Sequence, residues 1–453
     1  PLQHSEPMKL RVTLSQTRNA KYNVGRFRLS ATIVDPEVFN VDPAVLAILK
    51  LPEEKWDTKQ KTAIEQAFYK SNTQWADLNQ RLTKQKAEQA KLTKDIVTTM
   101  VMKELPKPRE TFILLRGNFL APGAPVKPDV PAVLPPFPED VKQPTRLDFA
   151  RWLTSPEQPL TARVIVNRYW QRFFGRGIVE TENDFGTQGT LPTHPQLLDW
   201  LASEFMRLDW DVKQLHKLIV TSATYRQASD FRPEYQEQDP RNLLLSRQNR
   251  YRMEAESIRD LFLASSGLLT RTIGGPSVYP PQPEGIYVLT QNKKSWPEEQ
   301  GANRFRRGMY TYFWRSSPYP MLPTFDAPNS NTTCTRRVRS NTPLQALTLA
   351  NDQSLFELIQ GFALRILQKG PDYDEGRLRE AFQICLSRTP ADQELRVLTQ
   401  YLNEQRTWFN KSPHLAKQVA ASDLPKEIEV AEAASWTAVA RVLMNLDEFI
   451  TRE

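Results

Sequence analysis

ARVIVNRYWQRFFGRGIVETENDFGTQG, residues 162–189, is the stretch from which the rest of the chain is read. Asp184-Phe185-Gly186 matches the metal-binding turn of a protein kinase. A kinase also needs a glycine-rich phosphate loop, a β3 lysine and an HRD catalytic loop upstream, and none is present. The residues before Asp184 form a helical pattern. Asn167-Arg168, Tyr169-Trp170, Gln171-Arg172 and Phe173-Phe174 alternate as polar and aromatic pairs, placing aromatics on one face and polar groups on the other. Phe173, Phe174 and Phe185 then read as core, with Gly175, Gly177 and Gly186 supplying turns. A sharper expectation is that Arg168, Asp184 and His194 converge at the helix ends. A carboxylate, an imidazole and a guanidinium would there act as general base, acid and anion clamp.

Working outward, the chain after about residue 145 is mainly α-helical. Helices are expected at 145–154, 160–174, 195–208, 211–226, 251–269, 342–368, 374–387, 391–409 and 426–446, with Pro195 and Pro343 suited to first turns. The exception is 271–335, which carries nine prolines, ten aromatics and the strand-like RRGMYTYFW. A long ordered irregular stretch of this kind is often functional. Before residue 145 the pattern changes. Leu10–Leu14 and Phe27–Val34 alternate as β-strands, and Trp56–Ile96 reads as a helical hairpin in a Lys/Gln-rich background. VTTMVMKEL and ETFILLRGNF are strand-like, and seven prolines lie between Pro122 and Pro138. The expected organisation is therefore the last strands of a β-sandwich at 1–34, a helical hairpin with a strand-like connector at 35–121, a proline-rich linker at 122–144 and a helical domain at 145–453. The fold class is mainly α, α+β overall.

Composition narrows the chemistry. The 453 residues include 60 Lys+Arg and 52 Asp+Glu, a formal net charge of +8 that permits an anionic partner without requiring one. Acidic residues interspersed with the lysines of Trp56–Ile96 argue against a nucleic-acid arm. No run of 18 apolar residues spans a membrane. His4, His194, His216 and His414 lack metal-ligand spacing, and Cys334 and Cys385 form neither CxxC nor CxxCH. The two cysteines are open to pairing or to staying free. Ser222 in LIVTSATYRQ has no nucleophile elbow, and Cys334 precedes two arginines that would lower a thiol pKa. An inert cysteine is the commoner case.

Arginine without lysine is the second signal. Residues 301–340 hold Arg304, Arg306, Arg307, Arg315, Arg336, Arg337 and Arg339, no lysine, and one acid, Asp326. Arginine is favoured where planar bidentate pairing matters. The ordinary explanation is ion pairing to Glu254, Glu256, Asp260 and Asp352. The functional one is a basic cleft lined by Trp296, Tyr310, Tyr312, Trp314 and Tyr319 as stacking surfaces.

LTARVIVNRYWQRFFGRGIVETENDFGTQGTLPTHPQLLDWLASEF, DVKQLHKLIVTSATYRQAS, RMEAESIRDLFLASSGLL and TRRVRSNTPLQALTLANDQSLFE resemble the planctomycete-type domain of unknown function fifteen-fifty-three. The likeness runs from about 145 to 453 and closes on AASWTAVARVLMNLDEFITRE. VGRFRLSAT and the stretch KELPKPRETFILLRGNFLAPGAP resemble the sandwich end and connector lying upstream in such proteins. The resemblance implies an exported protein of the periplasm or cell envelope. Its N-terminal half would carry a cytochrome-c domain with haem c, while this chain holds no cofactor itself. It brings no assigned reaction and no catalytic residues.

Two functions are expected. One is a binding and assembly module recognising an anionic glycan or envelope protein, with Arg168, Arg226, Arg306, Arg307, Trp314, Asp326, Arg336 and Arg337 as ligand-binding residues. The alternative is an enzyme, polysaccharide-active or an oxidoreductase coupled to the upstream haem, with Asp184 and His194 moving protons. A purely structural role, in which internal ion pairs consume every arginine, stands as a third.

Overall fold

The structure, a computed structural model, describes residues 11–13, 29, 41–286 and 295–452. Of the two stretches expected as sandwich strands, only residues 11–13 and 29 are described, and none of these is assigned to a strand; the rest lies outside the described residues. The backbone divides into two compact units, Pro1–Arg109 and Glu110–Glu453. Seventeen α-helices and four short strands among the described residues make the chain mainly α.

In the first unit α1 (Pro43–Leu49) is capped by Asp42, whose carboxylate accepts from the Ala44 amide at 2.8 Å. A reciprocal cap between Asp57 and Gln60 starts α2 (Thr58–Ser71), and Asn72 accepts from Trp75 at 3.1 Å to start α3 (Thr73–Asp95). These caps satisfy orphan helix amides and turn the chain between two helices. A tilted contact between the Tyr69 and Trp75 rings, 4.3 Å between centroids, closes the hairpin. The polar side chains of α3 stay exposed along the described part of its length.

The second unit opens with an antiparallel hairpin, β1 (Thr111–Leu114) against β2 (Pro122–Val126). The proline-rich segment then runs inside this unit, where the Trp152 indole donates to the Pro135 carbonyl at 2.6 Å. Trp152 belongs to α4 (Arg146–Leu153).

Two main cores make up the rest. The first is built by α5 (Thr161–Phe174), α6 (Pro195–Arg207), α7 (Val212–Val220) and the short α8 (Ala223–Arg226). Val166, Trp170 and Phe174 of α5 meet Leu198, Leu201, Phe205, Leu215 and Ile219, all buried. The second is formed by α9 (Ala255–Ser266), α10 (Met321–Thr324), α11 (Pro343–Asn351), α12 (Gln353–Lys369), α13 (Asp374–Leu386), α14 (Asp392–Lys411), α16 (Val430–Met444) and α17 (Asp447–Ile450). Phe262, Phe362, Phe382 and Trp436 are its large buried side chains. A smaller cluster of Phe409, Ala416 and Ala434 seats α15 (Pro413–Val419). Between the two main cores, β3 (Tyr251–Arg252) pairs with β4 (Thr451–Arg452), tying the start of α9 to the last described residues.

VTTMVMKEL, expected as strand-like, carries no strand, and the helix expected over 251–269 starts only at Ala255, after β3. Three further expected elements differ. The helix expected over 211–226 breaks at Thr221, and Ser222 caps α8 by accepting from Tyr225 at 3.2 Å. The one expected over 342–368 breaks at Asp352, which ends α11 and caps α12 at Leu355, 3.1 Å. A capping side chain interrupts a helix without disturbing its apolar period. RRGMYTYFW forms a 3-10 turn and two isolated bridges instead of a strand. Gly308 explains it: its amide donates to Asp260 at 2.6 Å, and a Cβ there would lie 2.5 Å from the Glu256 carbonyl oxygen. The segment is pressed against α9, where no strand partner fits.

Both cysteines are free. Cys334 is exposed, whereas Cys385 sits against the second core, where burial pushes its thiol up to about 12. Only a thiolate attacks a disulfide reagent. One thiol per chain, Cys334, is therefore expected to react at pH 7. Raising the pH to 9 should not recruit Cys385, whose folded pKa still lies above it, whereas denaturant should. Mass spectrometry of the labelled chain checks this, and fast labelling of Cys385 in the folded protein would contradict it.

Candidate anion-binding groove

The C-terminal end of α5 organises the region where the arginines gather. The last carbonyls of a helix lack internal partners, and here side chains from a distant segment supply them. The Tyr251 hydroxyl donates to Arg172 O at 2.9 Å and Phe173 O at 3.2 Å, Asn249 donates to Phe174 O at 2.9 Å, and Arg452 donates to Phe173 O. A guanidinium also complements the negative end of the helix dipole. Gly175 takes φ 76°, and a Cβ on it would lie 3.2 Å from the Tyr251 ring, so glycine is required twice over. The next loop is held by Asn167, fully buried on α5, which donates to Val179 O at 2.9 Å and accepts from Val179 N at 2.8 Å.

Two neighbouring cavities open beside this helix end. One, of about 330 Å³, is lined by Arg176, Arg241, Arg250, Arg336, Arg337 and Arg339, and by no carboxylate and no lysine. The other, of about 300 Å³, adds Arg168 and Arg172 to the shared Arg336, Arg337 and Arg339, with Glu254 as its single acid. The segment Arg336–Arg339 thus walls both.

Acids reach some of these arginines from the side. Arg337 binds Glu256 at 2.6 Å and Glu254 at 3.3 Å. Burial works against the Glu256 carboxylate, yet the Arg337 hydrogen bonds outweigh it and hold its pKa below the usual range. Arg172 pairs with Glu254 at 3.3 Å, and Glu180 lies 3.9 Å from Arg176 and 3.7 Å from Arg241. Arg168, Arg336 and Arg339 have no carboxylate partner among the described residues. Arg339 instead lies 4.4 Å from the centroid of the Tyr251 ring, as does Arg452. Burial presses the Arg339 pKa downward, opposed by Tyr251 and Glu254 and aided by Arg452 and Arg172. Arg176 Nη1 and Arg339 Nε are buried donors with no protein acceptor. A site with this much positive charge and unused donor capacity is complementary to an oxyanion.

The residues expected from sequence divide. Arg168, Arg336 and Arg337 come together in the groove. Arg306 is 3% exposed, donates to the carbonyls of Pro276, Thr272 and Gly274, and lies 3.7 Å from the Tyr310 ring centroid. Arg307 pairs with Asp260 at 2.7 Å. Asp326, at φ 62°, binds Arg252 and accepts from Ser340 N at 2.8 Å. Arg226 is exposed at the end of α8 and lines neither cavity. Trp314 meets Tyr312 edge-on at 5.7 Å within a cluster that includes Tyr279, Trp296 and Tyr319. These rings pack against one another: Tyr319 is 1% exposed, its hydroxyl donates to Pro281 O at 3.0 Å, and burial pushes its phenol up to about 12. None of them lines either arginine cavity.

Asp184 and His194 are not joined. The Asp184 carboxylate accepts from the Gly186 amide at 2.8 Å, closing its own turn, and His194 Nδ1 lies 2.9 Å from Thr193 Oγ1. No hydrogen bond links either to the other or to Arg168 among the described residues. No group of three His, Cys, Asp or Glu side chains suited to a metal occurs among them either.

Sequence reasoning missed Arg172, Arg176, Arg241 and Arg250 as groove residues, and it placed Arg339 in the lysine-free run without counting it among the ligand-binding residues. The signal existed for part of them: residues 218–252 carry arginines and no lysine, the same bias as at 301–340. The loop bearing Arg241 is itself fixed, because buried Asn242 donates to Arg247 O and Asn249 Oδ1, both at 2.8 Å.

Neither the curated proteins nor the solved structures contain a match to this chain. A known family does match, over residues 145–402, more than half of the chain, and that span includes both cores' leading helices and every residue lining the two cavities. The chain belongs to PSD1, the family described as protein of unknown function (DUF1553).

Proposed function

We propose that the second unit is a binding module that takes an acidic glycan in the arginine groove, within an exported protein of the cell envelope. One observation carries this reading: six arginines line a cavity of about 330 Å³ with no acid and no lysine among its walls. Four of the six also meet acids outside the cavity, Arg250 reaching Asp447 at 3.7 Å, but more loosely on the whole than the most tightly held arginines of the chain. Arg304 is bracketed by Glu357 and Glu298, and Arg406 by Asp374 and Glu432, at 2.5 Å each for the latter pair. Arg339 is half-buried with a donor that meets no protein acceptor, and an oxyanion in the cavity would supply one. The groove also lacks an accessible ring, since Trp170 and Phe174 are buried and Tyr251 is engaged by two guanidinium groups. Nucleic acid, which is held by stacking as well as charge, is a poorer fit.

The test is binding of the chain to immobilised neutral, carboxylated and sulfated glycans at two salt concentrations. Acidic glycans are expected to bind and to weaken with salt, as screened charges do. The double variant Arg336→Ala, Arg339→Ala should lose at least about a hundredfold in affinity, since each charged hydrogen-bonding group contributes about 1.5–3 kcal/mol. Arg307→Ala, whose partner is Asp260, is the control and should bind normally. Equal binding by all three proteins, or no binding to any acidic glycan, would overturn the proposal.

A further inference from the structure

Resting on the proposed anion groove, we infer that its ligand carries at least two anionic groups on one chain, one for each cavity. The segment Arg336–Arg339 would lie between them. The shared wall is the observation. Arg336, Arg337 and Arg339 line both cavities, while Arg241 lines only the larger and Arg168 only the smaller. Each cavity therefore has a private, solvent-reaching arginine and draws on a common set. Both of these private residues are exposed, so neither is needed to fill a core.

The chain conformation of this wall suits the division. Arg336 and Val338 are exposed, and Arg337 and Arg339 are half-buried, the alternation of an extended segment. Arg337 is anchored from below by Glu256, which fixes the wall relative to α9. Arg336 is left free to meet either anionic group.

Two separate anions in adjoining cavities would repel one another across the wall. Two anionic groups joined covalently at a fixed spacing incur that repulsion before binding, and the second then binds at high effective concentration. The ligand class this selects is a glycan with sulfate or carboxylate on neighbouring sugar residues. A single oxyanion, or a glycan with one isolated charge, would occupy only half of the site.

Calorimetric titration with inorganic sulfate, a monosulfated disaccharide and an oligosaccharide sulfated on successive residues tests this. The oligosaccharide is expected to bind one per chain and about a hundredfold more tightly than the disaccharide, the lower range of a linked second contact. Arg168→Ala and Arg241→Ala should each return the oligosaccharide to roughly the disaccharide's affinity, with thermal unfolding unchanged. Equal affinity for the two glycans, or sensitivity to only one variant, would overturn the two-headed ligand while leaving the anion groove standing. Absence of binding by sulfate and both glycans would overturn both. Replacing sulfates by carboxylates on the same backbone identifies which group is preferred.

Discussion

Arg252→Ala is expected to destabilise the second unit by about 3 kcal/mol, the low end of the range for removing one partner of a buried ion pair. The Arg252 side chain is 8% exposed and Asp326 24%. Its guanidinium binds the Asp326 carboxylate and also donates to Ser340 O at 3.1 Å and Met253 O at 2.8 Å. Truncation leaves the Asp326 carboxylate without its cation, though Ser340 still donates to it, leaves the Ser340 and Met253 carbonyls without this donor, and removes the guanidinium from the Phe325 ring. Burial lowers the Arg252 pKa and Asp326 opposes that effect, so the pair is interdependent. Urea unfolding of Arg252→Ala, Asp326→Ala and the double variant measures the dependence. The double variant should be less destabilised than the sum of the singles. A loss under about 1 kcal/mol for Arg252→Ala would mean that the pair contributes little.

Asn167→Ala should be comparably damaging, at about 3 kcal/mol, through a different cause. Val179, 2% exposed, gives both its N–H and its C=O to the Asn167 amide, and neither has another partner within reach of an alanine. Each buried backbone group left unsatisfied costs about 1–3 kcal/mol. Asn167→Asp separates shape from bonding. It keeps an acceptor for Val179 N but sets a charged oxygen against Val179 O, so it should be no better than alanine. The loop from Gly175 to Val179 also walls the larger cavity, so glycan binding should weaken in step with stability. Chemical unfolding and calorimetric glycan titration measure the two effects independently. Stability of Asn167→Ala equal to that of the parent protein would show that Val179 finds other partners.

Much of the helical architecture is legible from apolar period and caps. The helices expected at 145–154, 160–174, 195–208, 374–387 and 391–409 fall within two residues of α4, α5, α6, α13 and α14 at each end. Asp352 and Ser222 escaped because a residue that both stops one helix and caps the next leaves the hydrophobic stripe intact. The short α15 and α17 are too brief to show a period. Asn167 was assigned to a polar face by its neighbours, yet it is the most deeply buried polar group of α5. Its role depends on a loop twelve residues away, which no helical period encodes.

The candidate site was legible in residue type and not in geometry. A lysine-free arginine run flagged Arg336 and Arg337, whereas Arg168 was expected beside Asp184 and His194 and is found beside those two arginines instead. Pairing decides which arginines remain available, and pairing is a matter of three-dimensional neighbours. Arg307 found Asp260, Arg306 found three carbonyls, and Asp326 found Arg252, as the ordinary ion-pairing explanation anticipated for several of them. The aromatics nearby in sequence packed among themselves and left the groove to charge alone.

The clasp between β3 and β4 sets an order of events during synthesis. The helices α5, α6 and α7 are contiguous in the chain and bury their core with local contacts, so they are able to fold as soon as they leave the ribosome. Arg452, which donates to Phe173 O across 279 positions of sequence, emerges long after them. Until then the carbonyl end of α5 lacks one of its caps and Tyr251 one of its two guanidinium neighbours. The groove consequently acquires its shape well after the first core has formed, and a nascent chain carries most of its arginines long before it holds them in place.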